Sequence, residues 1–301
     1  MKINIFLRTV TQTFLTLIKI IVLSKFLKSF KSPEKQDKPC VIIGNGPSLN
    51  HFLSHHFSFL ANKKKLCVNY FARTPQYEKV KPDYYLIASP EYWKGEQKAG
   101  WTEERIDVFI QIAKKTNWDL TILVPMLARS SKIAWRKELD ANPKIKIEFF
   151  NNTPIEGIEK INHSLINLKL GMPRPHNVLV ASLCTCLQLN FKEIYITGAD
   201  HSWLEEIYVM EDNQVLLSQK HFYDEQAKKE AFKVSSADKK PMYLGGSKNT
   251  RKLHEVLEKF YYTFRSYWEL KVYANTKKAT VYNLSHNSYI DAFNKVNLDE
   301  Q

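Results

Sequence analysis

KPCVIIGNGPSLNHF, residues 38–52, joins an apolar run to a glycine-rich turn. Val41, Ile42 and Ile43 read as a buried strand, and the segment after Ser48 reads as a helix. Gly44 and Gly46 permit positive φ and close backbone approach. Pro47 pre-sets a helical φ, and Ser48 or Asn45 can cap the helix that follows. Such a helix start presents free N–H groups to an anion. A dinucleotide fingerprint needs a third glycine where Leu49 stands, and a P-loop needs Gly-Lys-Ser/Thr, which does not follow. The expectation is a loop, Gly44 to Ser48, that holds a different phosphate-bearing ligand; a plain strand-to-helix turn is the alternative.

Outward from this loop, strand-like segments at 40–43, 65–69, 84–88, 120–125, 145–149, 193–197 and 280–284 alternate with helical ones at 48–60, 103–116, 131–140, 178–189 and 250–268. Alternation of this kind predicts an α/β fold, a mostly parallel sheet with flanking helices. Ligands in such sheets bind at the carboxyl ends of the strands. Those ends carry the 44–48 loop, Asn69, Ser89 and the run Gly198-Ala199-Asp200-His201. Gly198 lets backbone approach a ligand. Asp200 suits a ribose hydroxyl, a base or a loop cap, and His201 suits either proton transfer or packing.

A long polar segment, about 202–246, follows and is expected to form a lid. It contains Tyr208, KHFYDE at 220–225, SSADKK at 235–240, and the first half of YLGGSKNT at 243–250. His221 and Tyr223 are its candidates for facing the site.

The chain has 301 residues, 44% of them hydrophobic, which is enough for a sizeable core. Its formal charge of +13 favours anionic partners. Lysines are scattered, without an arginine-rich motif or helix-turn-helix pattern, so a membrane surface or a nucleotide substrate ranks above nucleic acid. Cys40, Cys67, Cys184 and Cys186 match no zinc or redox spacing and read as buried reduced thiols. There is no Asp-x-Asp triplet. His51, His55 and His56 cluster on a helix without a second ligand group in view, and a metal-free reaction is expected.

Residues 1–30 differ from the rest. On a helical wheel Ile3, Phe6, Leu7, Val10, Phe14, Leu17, Ile18, Ile21 and Phe26 share a face, opposite Arg8, Gln12, Thr13, Thr16 and Lys19. This is expected to be an amphipathic helix lying in a membrane interface, its lysines toward anionic headgroups. Packing on the protein's own core and a spanning helix are the alternatives. Residues 31–39, KSPEKQDKP, read as a linker to a body over 40–301.

VIIGNGPSL, KEIYITGAD and YLGGSKNT together resemble the signature stretches of the bacterial sialyltransferases of glycosyltransferase family 42, in the same order and at similar spacing, over roughly residues 40 to 270. The glycine–asparagine–glycine–proline–serine opening is also similar to motility-accessory-factor and 6-hydroxymethylpterin diphosphokinase-like proteins. The family resemblance implies a Rossmann-like, GT-A-type domain with a lid, which uses a CMP-sugar donor without a metal or other cofactor and inverts the anomeric centre. It implies that Gly44, Asn45, Gly46, Pro47, Ser48 and Asn69 line the donor site, with Gly198 and Asp200. Ser89 stands where the family has asparagine, and Asn177 or Val178 falls where it has Thr-Ser-Gly. Tyr208 matches one of two tyrosines that hold the leaving phosphate; Ser202 replaces the other. The family's catalytic histidine falls at Gly246, so His201 or His221 takes that role, or the chemistry or the donor differs.

The expectation is therefore a metal-independent inverting glycosyltransferase acting on a lipid-linked or surface glycan, such as lipopolysaccharide or capsule. It would sit in the bacterial cytoplasm on the inner face of the membrane, with homo-oligomerisation left open. An ATP-using, Mg²⁺-dependent pterin diphosphokinase and a non-catalytic nucleotide-sugar-binding protein are the alternatives.

Overall fold

The computed structural model describes residues 2–24, 29–93, 101–224, 239–242 and 249–300. Among them, eight strands form one sheet: β1 (Cys40–Ile43), β2 (Lys64–Val68), β3 (Tyr84–Leu86), β4 (Leu120–Pro125), β5 (Ile145–Phe150), β6 (Glu193–Thr197), β10 (Thr280–Asn283) and β11 (Asn294–Lys295). The order is β11-β10-β6-β1-β2-β3-β4-β5, and every neighbouring pair is parallel. The α/β architecture read from the alternation is thus the one observed.

β1 is central and buried along its whole length, as a parallel strand covered on both faces must be. Its residues divide between two cores. Cys40 and Ile42 join Leu66, Leu86 and Ile196 on one face, under α7 (Val178–Gln188) and α8 (Leu253–Thr276). Val41 and Ile43 join Cys67, Tyr85 and Ile122 on the other, under α2 (Leu49–His55) and α4 (Trp101–Lys115). α7 is buried on nearly all sides from Leu179 to Gln188, so its sequence, VLVASLCTCLQ, carries no polar stripe. The four cysteines are buried and unbridged, and Cys40 and Cys186 meet as thiols 3.7 Å apart.

Some expected helices change. The one over 48–60 breaks at His56, which leaves the helical region, into α2 and a 3₁₀ turn at Phe57–Leu60. The one over 131–140 shrinks to Lys137–Asp140. There the Ser131 hydroxyl donates to the Trp93 carbonyl and accepts from the Ile133 N–H, a local bonding pattern that competes with a helix. A helix not anticipated runs over Glu159–Asn167. The segment after β6 builds a small antiparallel sheet, β7 (Ile207–Val209), β8 (Val215–Leu217) and β9 (Lys240–Pro241). Val215 and Leu217 of this sheet pack on Val256 and Phe260 of α8.

The N-terminal helix α1 (Lys2–Leu23) docks on the body by its threonine face, opposite the apolar face. Thr13, Thr16, Ile20 and Ser24 are buried. The Thr16 hydroxyl donates to the Glu156 carbonyl and accepts from the Glu156 N–H, and Thr13 Oγ1 accepts from the Ile158 N–H. Between them Gly157 has φ +115°, and a Cβ there would lie 2.2 Å from Thr13 Oγ1, so only glycine lets the helix this close. Lys19 is half-buried and its charge acts on Glu156. The outward ridge is apolar: Phe6, Phe14, Ile21 and Val22 are each more than 60% exposed. Phe26 and the side chain of Ile3 lie outside the described residues.

Candidate functional site

From β1 the sheet grows one way to β2 and the other way to β6, the reversal at whose strand ends such sheets bind ligands. A cavity of about 470 Å³ opens there, within the range of small-molecule sites. Asn45, Gly46 and Pro47 line it after β1, Asn69 after β2 and Ser89 after β3. Gly198, Asp200 and His201 line it after β6, with Asn177 at the start of α7 and His221 from the following segment. Gly44 and Ser48 lie outside the lining.

The 44–48 loop is not the anion cradle its glycines suggest. The Gly44 N–H donates to the Thr197 carbonyl and the Gly46 N–H to the Gly198 carbonyl, each at 2.8 Å. The Ser48 N–H donates to both carboxylate oxygens of Asp200, and the Ser48 hydroxyl donates to Oδ2 at 2.9 Å. The N–H groups of Leu49 and Asn50 turn back to Gly46 and Pro47. The anion at this helix start is therefore the protein's own carboxylate. Burial raises the Asp200 carboxyl above its ordinary range, and the Ser48 hydrogen bonds pull against that. Asp200 thus takes the capping role, and it ties the loop after β6 to the loop after β1. Asn177 is likewise a cap: its side chain accepts from the Leu179 N–H at 2.7 Å.

What the cavity offers a ligand lies elsewhere on its wall. Asn45 donates its amide to the Val68 carbonyl, which leaves Oδ1 as a buried acceptor without a partner. Asn69, in the left-handed region at φ +50°, has an equally orphaned Oδ1. Glu206 binds Lys220 through Oε1 at 2.9 Å and leaves Oε2 buried and unpartnered. All three residues line the cavity. A buried acceptor left unsatisfied costs about 1–3 kcal/mol, so these oxygens suit a ligand that brings O–H or N–H groups. Lys259 of α8 lines the same space. Burial and the nearby Arg251 lower its pKa, against the pull of Glu91.

The two candidate histidines differ. His201 is 6% exposed, and its ring stacks on Trp203 at 4.1 Å. Its Nε2 is 2.9 Å from the Tyr267 hydroxyl. Burial drives its pKa down to about 3, so at neutral pH it is a weak base held among aromatics. His221 stacks on Tyr223 with rings 8° from parallel, and its backbone N–H donates to Asp224 Oδ2 at 2.7 Å. Burial lowers the His221 pKa, while the Asp224 carboxylate and a hydrogen bond to the Gln219 backbone oppose it. A neutral imidazole beside a carboxylate can accept a proton and stabilise the resulting charge.

Tyr208 does not join them. It sits on β7, away from the lining, with Lys239 Nζ 3.5 Å from its ring centre. Gly246 and most of the YLGGSKNT stretch fall outside the described residues. Glu206 belongs to the Glu205-Glu206 pair that the diphosphokinase alternative would use and Lys220 opens the KHFYDE stretch, whereas Lys259 carries no signal in the sequence. In VLEKFYY this lysine has the spacing of a solvated helix face.

No protein-family model matches the chain, nor does any curated protein. Among solved structures it is similar to the MAf glycosyltransferase from Magnetospirillum magneticum AMB-1. That likeness has a TM-score of 0.47 and 10% identity, over 95% of this chain and 38% of the other. The chain thus spans under two fifths of the length of the structure it matches.

Proposed function

We propose that the chain is a glycosyltransferase that binds a nucleotide-activated sugar in the strand-end cavity. The observation that carries this reading is the set of unpartnered acceptors. The buried oxygens of Asn45, Asn69 and Glu206 call for a ligand rich in hydroxyl or amino donors, which a ribose, a base and a sugar supply. Lys259 would neutralise the departing phosphate, the part given to Tyr208 from the sequence. The acceptor hydroxyl would attack the anomeric carbon, a carbon–oxygen bond to the acceptor would form, and the bond to the phosphate oxygen would break. His221 would take the proton.

A monophosphate-linked donor of the CMP type suits this wall better than ATP with Mg²⁺, in line with the sialyltransferase resemblance. A triphosphate needs several cations or metal-binding carboxylates. Among the described lining residues the carboxylates are Asp200, engaged by Ser48, and Glu206, engaged by Lys220. Thermal-shift measurements with CMP, CDP, UDP, GDP and ATP, with and without Mg²⁺, test the reading. CMP alone is expected to stabilise the protein, by about 2.7 kcal/mol at a hundredfold excess over Kd. Stabilisation only by ATP with Mg²⁺ points instead to diphosphate transfer, and no response to any nucleotide sinks the proposal.

The outward ridge of α1 fits a membrane surface, and with it a lipid-linked acceptor. Asn4–Leu23 is long and apolar enough to cross a bilayer, but its docked threonine face favours a helix lying flat. Because Ile20 and Ser24 belong to the buried body, deleting the helix would damage the fold. Substituting Phe6, Phe14 and Ile21 by glutamate is the cleaner test. At about 1.5–3 kcal/mol per large apolar side chain, the triple variant is expected to lose binding to anionic phospholipid vesicles by on the order of 10²-fold or more. Its thermal stability should be retained; unchanged vesicle binding rejects the membrane face.

A further inference from the structure

The structure assigns a transition-metal site to the outer face of α2, made by His51, His56 and Asp299. From the sequence the histidines lacked a further ligand. The fold supplies one from the opposite end of the chain: beyond β11 the C-terminal segment crosses α2 and sets Asp299 against the histidines. His56 Nε2 lies 2.7 Å from Asp299 Oδ1, and His51 Nε2 lies 3.8 Å from Oδ2. One ligand atom from each residue falls within 4.8 Å of the other two. Metal bonds of about 2.1 Å in a tetrahedron place ligand atoms roughly 3.4 Å apart. The observed separations bracket that spacing, so small side-chain movements suffice.

The donor set selects the ion. Two imidazoles and one carboxylate suit Zn²⁺, Cu²⁺ or Ni²⁺ rather than Mg²⁺ or Ca²⁺, which prefer oxygen ligands. Three protein ligands leave a position for water. The His56 hydrogen bond holds the Asp299 carboxyl below its ordinary range, so the carboxylate is anionic at neutral pH. His55 stacks on His51 at 4.4 Å between ring centres, and its Nδ1 lies 3.1 Å from the His51 carbonyl, which braces the His51 ring.

The site is a clamp and not part of the cavity, whose lining contains none of these residues. It joins residues 243 positions apart. It also secures a sheet edge where β11 pairs with β10 over two residues. Cross-links that close long loops remove the most chain entropy.

The test uses the full chain without a polyhistidine tag, stripped with EDTA and titrated with ZnCl₂ by calorimetry and thermal shift. One equivalent is expected to bind, with a rise in Tm. Asp299→Asn and His51→Gln should each weaken binding more than tenfold and abolish the rise in Tm, while matching the wild-type Tm in EDTA because both side chains are largely exposed. His254→Gln, an exposed histidine on another helix, should bind as wild type. The proposal is overturned if Zn²⁺, Ni²⁺ and Cu²⁺ all fail to saturate one site. Binding that survives in both Asp299→Asn and His51→Gln overturns it equally.

Discussion

Gly44→Ala is expected to destabilise the protein by about 3 kcal/mol or more, at the upper end of overpacking costs, and to lower Tm by on the order of 10 °C. A Cβ at Gly44 would lie 2.3 Å from the Gly198 carbonyl oxygen, and a Cβ at Gly198 would lie 2.6 Å from the Gly44 carbonyl oxygen. Both obstacles are backbone, so no side chain can swing away. Relief would require β1 and β6 to part at the centre of the sheet. There the Gly44 N–H to Thr197 and Gly46 N–H to Gly198 bonds hold the cavity floor. Gly198 has the added strain of φ +63°, so Gly198→Ala should be at least as severe. The double variant should cost less than the sum, because each substitution already opens the same contact. Urea unfolding followed by circular dichroism gives the values. A Gly44→Ala protein that melts within about 2 °C of wild type, where 1 kcal/mol already shifts Tm by roughly that much, would show that the strands part at little cost.

His221→Gln is expected to reduce turnover by roughly 10² to 10⁴, the contribution of a positioned general base, and to leave donor affinity nearly unchanged. The readout is nucleotide release from whichever donor stabilises the protein, with Kd measured separately by calorimetry. The comparator is His201→Gln. His201 is buried against Trp203 and bonded to Tyr267, so its loss should show mainly in Tm. Equal losses of turnover in the two variants, or turnover in His221→Gln within about threefold of wild type against the factor of 10² or more expected, would remove His221 from the proton-transfer role. The pH profile gives a second check. Burial lowers the His221 pKa, so the base stays neutral into mildly acidic solution. Wild-type activity should persist below the usual histidine range and fall only at lower pH.

Much of the frame was legible before any coordinates. The run Val41 to Ile43, the turn after it and the later run at 193–197 are strong local signals, because a doubly covered parallel strand must be apolar along its length. Asn45, Asn69, Asp200 and His221, from four separate stretches, line one cavity. Their roles were harder to read. Asp200 resembles a ligand contact in sequence and is a cap in space, since its partner Ser48 is 152 positions away. Lys259 has the spacing of a solvated helix residue, and only the docking of α8 beside α7 brings it to the strand ends.

The N-terminal helix shows the same division. Its amphipathic period is a property of the sequence, whereas which face meets protein depends on Gly157 and Glu156, about 140 residues further on. The sequence alone determined the longer strands of the main sheet and the parallel α/β frame, because each rests on periodicity and turn chemistry within a few residues. Tertiary structure alone decided which polar groups are already satisfied. It closed the 44–48 loop with Asp200, left Asn45 and Asn69 wanting donors, turned the threonines of α1 inward and set Asp299 beside His51 and His56. Hydrogen-bond satisfaction is settled by contacts between segments distant in the chain, and no local pattern records them.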